Sequence, residues 1–245
     1  MDYKTYELSK TEYLKGALIY ISMCAIVAYF FYRSVAVFTV LLPGFVFFGR
    51  FYKNYLNGKR KKKLLEEFSE TLNSVSVNMR AGYSIENAFL EAYKDIKLFY
   101  GKESLMGEEI LRIRRGLEIN ITLEELVDNL SARSGAEEIE MFSDVLKSAK
   151  RNGGNITEVL ADTASRIRES ICVDAEIETI MAEKKLELRI MEGMPFIILM
   201  YLNITSVGYF DILYEGIFGR IFMTAALIVY VAALMLGRKV MRINV

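Results

Sequence analysis

The feature that most constrains the fold is a long stretch without a helix breaker, residues 156–192. It follows Gly153, Gly154 and Asn155, and the next glycine is Gly193. Apolar residues recur within the stretch at spacings of three and four, as they do on one face of an amphipathic helix. The sequence therefore predicts a single helix of about 37 residues, roughly 55 Å long at 1.5 Å per residue. A helix this long exceeds what an ordinary soluble domain contains.

The long helix leads into an uncharged apolar run, 193–210, and three similar runs occupy 16–32, 34–49 and 221–237. Each is slightly shorter than the ~20 residues of a usual membrane span, but flanking Lys, Arg and Tyr side chains can reach the interface. The sequence therefore predicts four transmembrane helices in two hairpins. A signal peptide is the alternative for the first run, and the apolar run directly behind it favours a retained hairpin.

Charge divides the chain in the same way. Residues 64–192 carry 16 Lys and Arg against 26 Asp and Glu, a net charge of −10, and the rest of the chain carries +10. The positive-inside rule then places 64–192 and both termini in the cytoplasm of a multi-pass membrane protein. The acidic excess is interpreted as solvation of exposed helix faces, with a surface for a basic partner as the alternative. A basic patch of the kind that nucleic acid requires is not seen on this part of the chain.

The basic cluster at 59–63 is interpreted as an anchor that fixes the membrane topology. Contact with anionic lipid and a nucleotide site are the alternatives. A phosphate loop is not indicated, because the glycine spacing and the following Ser or Thr are missing.

Between 64 and 192 the apolar spacing predicts about six helices, separated by short polar joints. The third is predicted at about 108–115. N-caps are predicted at Ser84, at Thr122 with its capping-box Glu125, and at Ser134. The residues expected to face the core are Leu64, Phe68, Leu72, Val75, Met79, Ile85, Phe89, Ala92, Ile96, Ile139, Phe142, Leu146, Ala149, Leu160, Ala164, Ile167 and Ile171.

Short joints between amphipathic helices favour antiparallel neighbours. The predicted fold class is all-α, an integral membrane protein with four transmembrane helices and a cytoplasmic antiparallel helical bundle of about six helices. The predicted domains are an N-terminal transmembrane hairpin with a basic flank, 1–63, the bundle with its long stalk helix 156–192, spanning 64–192, and a C-terminal hairpin, 193–245.

Enzyme chemistry is not indicated. The chain has no histidine, which removes the commonest general base and metal ligand, and we expect no cofactor, metal or catalytic residue. The pairs Glu108-Glu109 and Glu124-Glu125 are interpreted as solvated charges in first helical turns. The third apolar run contains a polar cluster of Asn203, Thr205 and Ser206. It is interpreted as hydrogen bonding between membrane helices, with a substrate contact as the alternative.

Three blocks of residues resemble the F-domain family of type II secretion. The stretch from Arg80 through Gly82 and Ser84 to Ala88 resembles the family's R-A-G-x-S-x-x-x-A corner. The second and third blocks follow in the same order, and their residues are Lys150, Arg151, Asn152, Gly153, Gly154, Asn155, Leu160, Arg166, Ile167, Arg168, Glu169, Ala182, Glu183 and Pro195. The match is most similar to the Tad-type branch, which assembles type IV-like pili.

The resemblance implies a non-enzymatic inner-membrane platform that passes motion from a cytoplasmic secretion ATPase to pilin or pseudopilin subunits. A paralogous platform protein or further copies of the chain complete such a machine. We expect the partner-binding surface to include the two glycine corners at 80–84 and 151–155, with Arg168 and Glu183. The alternatives are a membrane signalling relay and a small-molecule transporter with a cytoplasmic helical domain.

Overall fold

The computed structural model describes residues 3, 10–33, 35–152, 156–205 and 216–240. These residues are 93% helical and contain no strand, which confirms the all-α class. In chain order the elements are α1 (Lys10–Val27), a π-helical turn (Ala28–Tyr32), α2 (Val35–Leu41), a 3₁₀ turn (Leu42–Gly44), α3 (Phe45–Arg80), α4 (Ile85–Tyr100), a 3₁₀ turn (Gly101–Glu103), α5 (Leu105–Glu118), α6 (Leu123–Ser134), α7 (Glu137–Asn152), α8 (Ile156–Thr205) and α9 (Ile217–Val240).

The chain forms two compact units. Unit 1 contains Met1–Glu7 and Lys53–Glu176, and unit 2 contains Leu8–Tyr52 and Ile177–Val245. The domains predicted from the sequence are defined by which residues enter the membrane, whereas these units are defined by contacts between residues. The predicted domain boundaries therefore stay predictions.

Unit 1 buries one face of each of its helices in a shared apolar core. Phe142 of α7 lies at its centre, with ring centroids 5.6 Å from Phe68 of α3 and 6.2 Å from Phe89 of α4. All three side chains are fully buried, and so is Ile167 of α8. The periodicity of the sequence therefore identified the core faces of the bundle correctly. Ile85 and Ile171 are only partly buried at its edge, and Ala149 is also only partly buried and lies outside this core.

Side-chain caps fix where the bundle helices begin. The hydroxyls of Ser84 and Thr122 accept hydrogen bonds from Asn87 N–H and Glu125 N–H, so both predicted N-caps are confirmed. Ser104 does the same for Gly107, and α5 therefore begins at Leu105, one turn earlier than predicted.

The predicted N-cap at Ser134 is wrong. Ser134 is the last residue of α6 and not the cap of the next helix. Its hydroxyl donates to Ser131 O at 3.0 Å and accepts from Ala136 N–H at 3.3 Å. Gly135 ends α6 in the left-handed conformation, φ +57°, which a residue without a Cβ adopts at little cost.

Unit 2 contains α1, α2, α9 and the unit 2 parts of α3 and α8. Among the described residues, three helices are long and apolar enough to cross a membrane, at Thr11–Tyr32, Thr157–Thr205 and Phe218–Gly237. The second predicted span, 34–49, is divided between α2, a 3₁₀ turn and the start of α3. The predicted count of four spans therefore stays a prediction.

Aromatic rings and polar side chains connect the membrane helices of unit 2. The Phe196 ring lies 6.1 Å from Phe30, 6.1 Å from Phe31 and 5.8 Å from Tyr230. The guanidinium of Arg33, the residue after the π-helical turn, donates to the Asn203 side-chain carbonyl of α8. The expected hydrogen bond between two membrane helices at Asn203 therefore stays a prediction.

Helix α8 is 50 residues long and contains Pro195. The sequence predicted a helix that ends near Glu192, and the helix instead continues through Gly193 and Pro195 to Thr205. Proline lacks the N–H that would bond to the carbonyl one turn earlier, but this loss alone does not end a helix inside an apolar environment.

Candidate functional site

The first glycine corner is a helix-ending motif with every hydrogen bond in place. After α3 ends at Arg80, Gly82 N–H donates to Met79 O at 3.0 Å and Tyr83 N–H donates to Asn78 O at 3.2 Å. This pair of bonds is the Schellman motif. Gly82 has φ +96°, a conformation that L side chains rarely adopt. The backbone therefore turns sharply here and leaves Arg80 exposed.

Three helix ends meet beside this corner through one lysine. Lys150, in the last turn of α7, places its Nζ 2.7 Å from Glu124 Oε1 and 3.6 Å from Glu86 Oε1. Glu86 is in the first turn of α4 and Glu124 in the first turn of α6. The positive charge lies at a helix C-terminus and the two negative charges lie at helix N-termini. Each charge is therefore stabilised by the dipole of its own helix.

The same contact shifts the pKa values of the pair. Burial raises the pKa of Glu124, but the hydrogen bond and charge of Lys150 outweigh it and place this pKa below its ordinary value. The hydrogen bond that Lys150 donates to the Glu124 carboxylate in turn raises the pKa of Lys150. Both groups are therefore charged at neutral pH. The sequence reading of Glu124 as a solvated charge is wrong, and no motif around Lys150 pointed to this bridge.

A groove of about 980 Å³ adjoins the corner. It brings Arg80 together with the first turns of α8, which directly follow the second glycine corner in the chain. The residues that line it are Arg80, Val145, Thr157, Glu158, Val159, Ala161, Asp162, Thr163, Ser165 and Arg166. We call the surface formed by Arg80, Ser84, Glu86, Glu124, Lys150, Arg151 and Thr157 the corner face.

The second glycine corner is only partly described. Arg151 is exposed in the last turn of α7. Gly153, Gly154 and Asn155 lie outside the described residues. Within the part of the chain that the structure describes, neither Arg80 nor Arg151 forms an ion pair. Both guanidinium groups are therefore available to a partner with negative charge.

The remaining predicted partner-binding residues lie along α8. The Arg168 guanidinium donates to Glu70 Oε1 at 2.6 Å, so it joins α8 to α3 inside unit 1. Glu183 is exposed and belongs to unit 2. Arg168 thus has an intramolecular partner, whereas no ion pair of the corner arginines is seen among the described residues.

A buried polar network was missed from the sequence. Glu109 is 1% exposed, although it was interpreted as a solvated charge. Arg133 donates to both of its carboxylate oxygens, at 2.9 and 2.6 Å, and the Tyr3 hydroxyl donates to Oε1 at 2.9 Å. Tyr3 is itself buried, and its N–H donates to Arg133 O at 3.0 Å. Tyr3 is therefore packed into the bundle.

This network shifts the pKa values of both acids. Burial raises the pKa of Glu109, but Arg133 and the Tyr3 hydroxyl outweigh it, and the pKa lies below its ordinary value. Burial and the Glu109 charge raise the pKa of Tyr3. The Arg60 guanidinium lies over the Tyr3 ring, 5.0 Å from its centroid, which adds a favourable cation–π contact.

The basic cluster 59–63 also makes contacts within unit 1. Lys61 Nζ donates to Gly135 O at the end of α6. Lys63 Nζ donates to Glu103 O at 3.4 Å and lies 3.7 Å from Glu67 Oε1. Lysines at the C-terminal ends of helices are stabilised by the dipole. Part of this cluster therefore holds the bundle together, a role that its sequence alone did not indicate.

Among the residues that the structure describes, no group of His, Cys, Asp or Glu side chains is arranged to hold a metal ion. The functional geometry consists instead of helix ends, an open groove and charged side chains.

Comparison with known families gives this surface its context. The family model described as Type II secretion system (T2SS), protein F, matches residues 67–203, which is more than half of the chain. The chain belongs to this family. No curated protein and no solved structure matches it significantly.

The family assigns the chain a general role in secretion machinery, as a platform-type membrane component. Its members are non-catalytic, and the apolar helices of unit 2 agree with a location in the inner membrane. The matched range includes Arg80, the corner face and nearly all of α8.

Proposed function

We propose that the chain is a non-enzymatic inner-membrane platform of a type II secretion or Tad-type pilus machine. In this proposal a cytoplasmic secretion ATPase docks on the corner face of unit 1. Helix α8 transmits the resulting motion to unit 2, where pilin or pseudopilin subunits leave the membrane. A paralogous platform protein or further copies of the chain complete the assembly.

The observation that carries the proposal is the course of α8. Its first turns line the groove beside Arg80, and the helix continues without interruption to Thr205 inside an apolar, span-like segment. A hydrogen-bonded helix resists bending far more than a loop does, because each turn is fixed by several backbone bonds. A load applied near Thr157 is therefore carried along the helix rather than lost in a linker.

The corner face suits docking because its charges are arranged before a partner arrives. Lys150 fixes the starts of α4 and α6 against the end of α7, and the Schellman motif fixes the backbone that follows Arg80. A surface whose backbone is fixed in advance loses little backbone entropy on binding.

Charge reversal tests the docking surface. The double variant Arg80→Glu and Arg151→Glu should lower co-purification of the ATPase from native membranes by at least fivefold, because both exposed guanidinium groups reverse sign. Arg114→Glu is the matched control, since Arg114 is an exposed arginine of the same unit on α5. Thermal unfolding should be unchanged in both variants. Equal ATPase recovery in the double variant and the control would exclude the corner face.

Insertion into α8 tests the transmission of motion. Two residues inserted after Ser170 rotate everything beyond them by about 200° and should abolish pilus assembly or secretion at a normal membrane level of the protein. Seven inserted residues add about two full helical turns, so the residues beyond them face in their original direction. This longer insertion should retain more activity than the shorter one. Full activity of the two-residue variant contradicts a rigid coupler.

A further inference from the structure

The first turns of α3 carry exposed aromatic and basic side chains next to one another. Phe47 is 79% exposed and Phe51 is 62% exposed, and Arg50 between them in the chain is exposed as well. Lys53 follows Arg50 by three residues and is also exposed. Residues three or four apart are neighbours on a helix surface. These four side chains therefore form one strip, which we call the α3 face.

The opposite side of the same turns packs against α1. The Phe45 ring lies 5.5 Å from the Tyr13 ring, and a Cβ added at Gly16 would lie 3.1 Å from the Tyr52 ring. Tyr13 and Gly16 lie in the first two turns of Thr11–Tyr32, a helix long and apolar enough to cross a membrane. The α3 face is therefore level with the end of this helix, where a bilayer has its headgroups.

The charge of the α3 face is not balanced by nearby acidic residues. Residues 45–65 contain seven basic side chains and no acidic one, and α1 contains Lys10 and Lys15 against Glu12. Among the described residues, neither Arg50 nor Lys53 forms a hydrogen bond or an ion pair. The two cations beside the exposed rings are therefore available to an anion.

We propose that the α3 face binds an anionic phospholipid. Its phosphate accepts hydrogen bonds from Arg50 and Lys53, and its acyl chains pack against Phe47 and Phe51. Aromatic side chains favour the level where headgroups meet acyl chains, and basic side chains attract anionic headgroups there. The proposal rests on the membrane location of unit 2 and not on ATPase docking or pilus assembly.

A second copy of the chain fits this face less well than a lipid. Unit 2 carries 11 basic and seven acidic residues, a net charge of +4. A copy alongside in the same membrane would present its own unit 2 at this level, so charges of the same sign would meet. An acidic soluble surface would match Arg50 but would leave Phe47 and Phe51 without an apolar partner. A phospholipid supplies the negative charge and the apolar chains together.

Selective quenching of a single tryptophan tests the proposal, because the chain has none of its own. Full-length Phe51→Trp is reconstituted in vesicles of phosphatidylcholine and phosphatidylglycerol, with bromine on the acyl chains of one lipid or the other at equal mole fraction. Brominated phosphatidylglycerol should quench at least twofold more than brominated phosphatidylcholine. Tyr201→Trp is the matched control, since Tyr201 is 63% exposed in the uncharged run 193–210. The two lipids should quench this control equally.

The lipid preference should depend on the two cations of the face. Adding Arg50→Gln and Lys53→Gln to Phe51→Trp should reduce the preference to that of the Tyr201→Trp control. Arg220→Gln with Lys239→Gln removes the same residue types from exposed positions of α9 and should leave the preference unchanged.

Three results would overturn the proposal. The first is an equal preference in Phe51→Trp and Tyr201→Trp, which would mean that the face does not select an anionic lipid. The second is a preference that persists without Arg50 and Lys53. The third is weak quenching of Phe51→Trp by both lipids, since protein, such as a second copy, would then cover the face.

Discussion

The two units use apolar side chains in opposite ways. In unit 1, Phe68, Phe89 and Phe142 are at most 1% exposed, and the first two each contact Phe142. In unit 2, Ile197 is 62% exposed and Phe218 is 91% exposed, although both lie in long regular helices. A helix in water must bury its apolar face against protein, whereas a helix in lipid has no such requirement. The surrounding solvent, rather than the amount of apolar surface, therefore decides which side chains form a core.

The largest expected effect follows from truncating one central ring in each unit. Phe142→Ala should lower the free energy of unfolding of unit 1 by about 3–5 kcal/mol, because it opens a cavity between Phe68 and Phe89. Phe196→Ala should cost about 1 kcal/mol in unit 2, since acyl chains can fill the space and only ring contacts are lost. Pulse proteolysis in mild detergent measures both. Comparable losses in the two units would contradict the contrast.

A second effect concerns charge inside unit 1. Glu109→Gln should lower its stability by about 2–3 kcal/mol at pH 7, because the Arg133 guanidinium loses its buried partner. Glu108→Gln, next to it and exposed, should cost less than about 0.5 kcal/mol. Urea unfolding followed by circular dichroism distinguishes the two variants.

The network also predicts a pH dependence. The pKa of Glu109 is lowered in the folded chain, so its contribution to stability is present above the ordinary glutamate pKa near 4.5 and is lost as the pH falls below it. Wild-type stability should therefore decrease below that pH more steeply than that of Glu109→Gln. Parallel curves for the two proteins would mean that Glu109 is not held by Arg133.

The smallest expected effect lies in unit 2. Asn203→Ala removes the acceptor of the Arg33 guanidinium and should cost about 0.6 kcal/mol, the usual value for one hydrogen bond between membrane helices. Thr205→Ala, at an exposed position two residues further along α8, is the control and should leave the melting temperature unchanged. A loss above about 2 kcal/mol would show that polar contacts, and not apolar packing, hold unit 2 together.

Sequence reasoning identified the helices where periodicity and caps agreed. Ser84 and Thr122 begin helices as predicted, because a capping hydroxyl acts on N–H groups only three residues away. The N-cap predicted at Ser134 is wrong, because a serine hydroxyl can also bond to carbonyls of its own preceding turn. The start of α5 was missed, although Ser104 with a following apolar residue was an available signal.

The candidate site was predicted less completely. Arg80, Gly82 and Ser84 were identified because a glycine followed by a cap marks a helix corner. Lys150 was not recognised as the link between Glu86 and Glu124, and the Tyr3–Glu109–Arg133 network was not predicted at all. Each of these contacts joins residues that are far apart in the chain, and local spacing carries no information about such pairs.

The sequence alone determined the properties that depend on neighbouring residues: an all-helical chain, an acidic bundle beside apolar helices, and one exceptionally long α8. The tertiary structure decided which charges are buried and which remain available. Glu109 and Arg133 neutralise each other inside unit 1, while Arg80 and Arg151 stay exposed on the corner face. The physical reason is that burying a charge requires a partner of opposite sign at hydrogen-bond distance, and only folding brings such partners together.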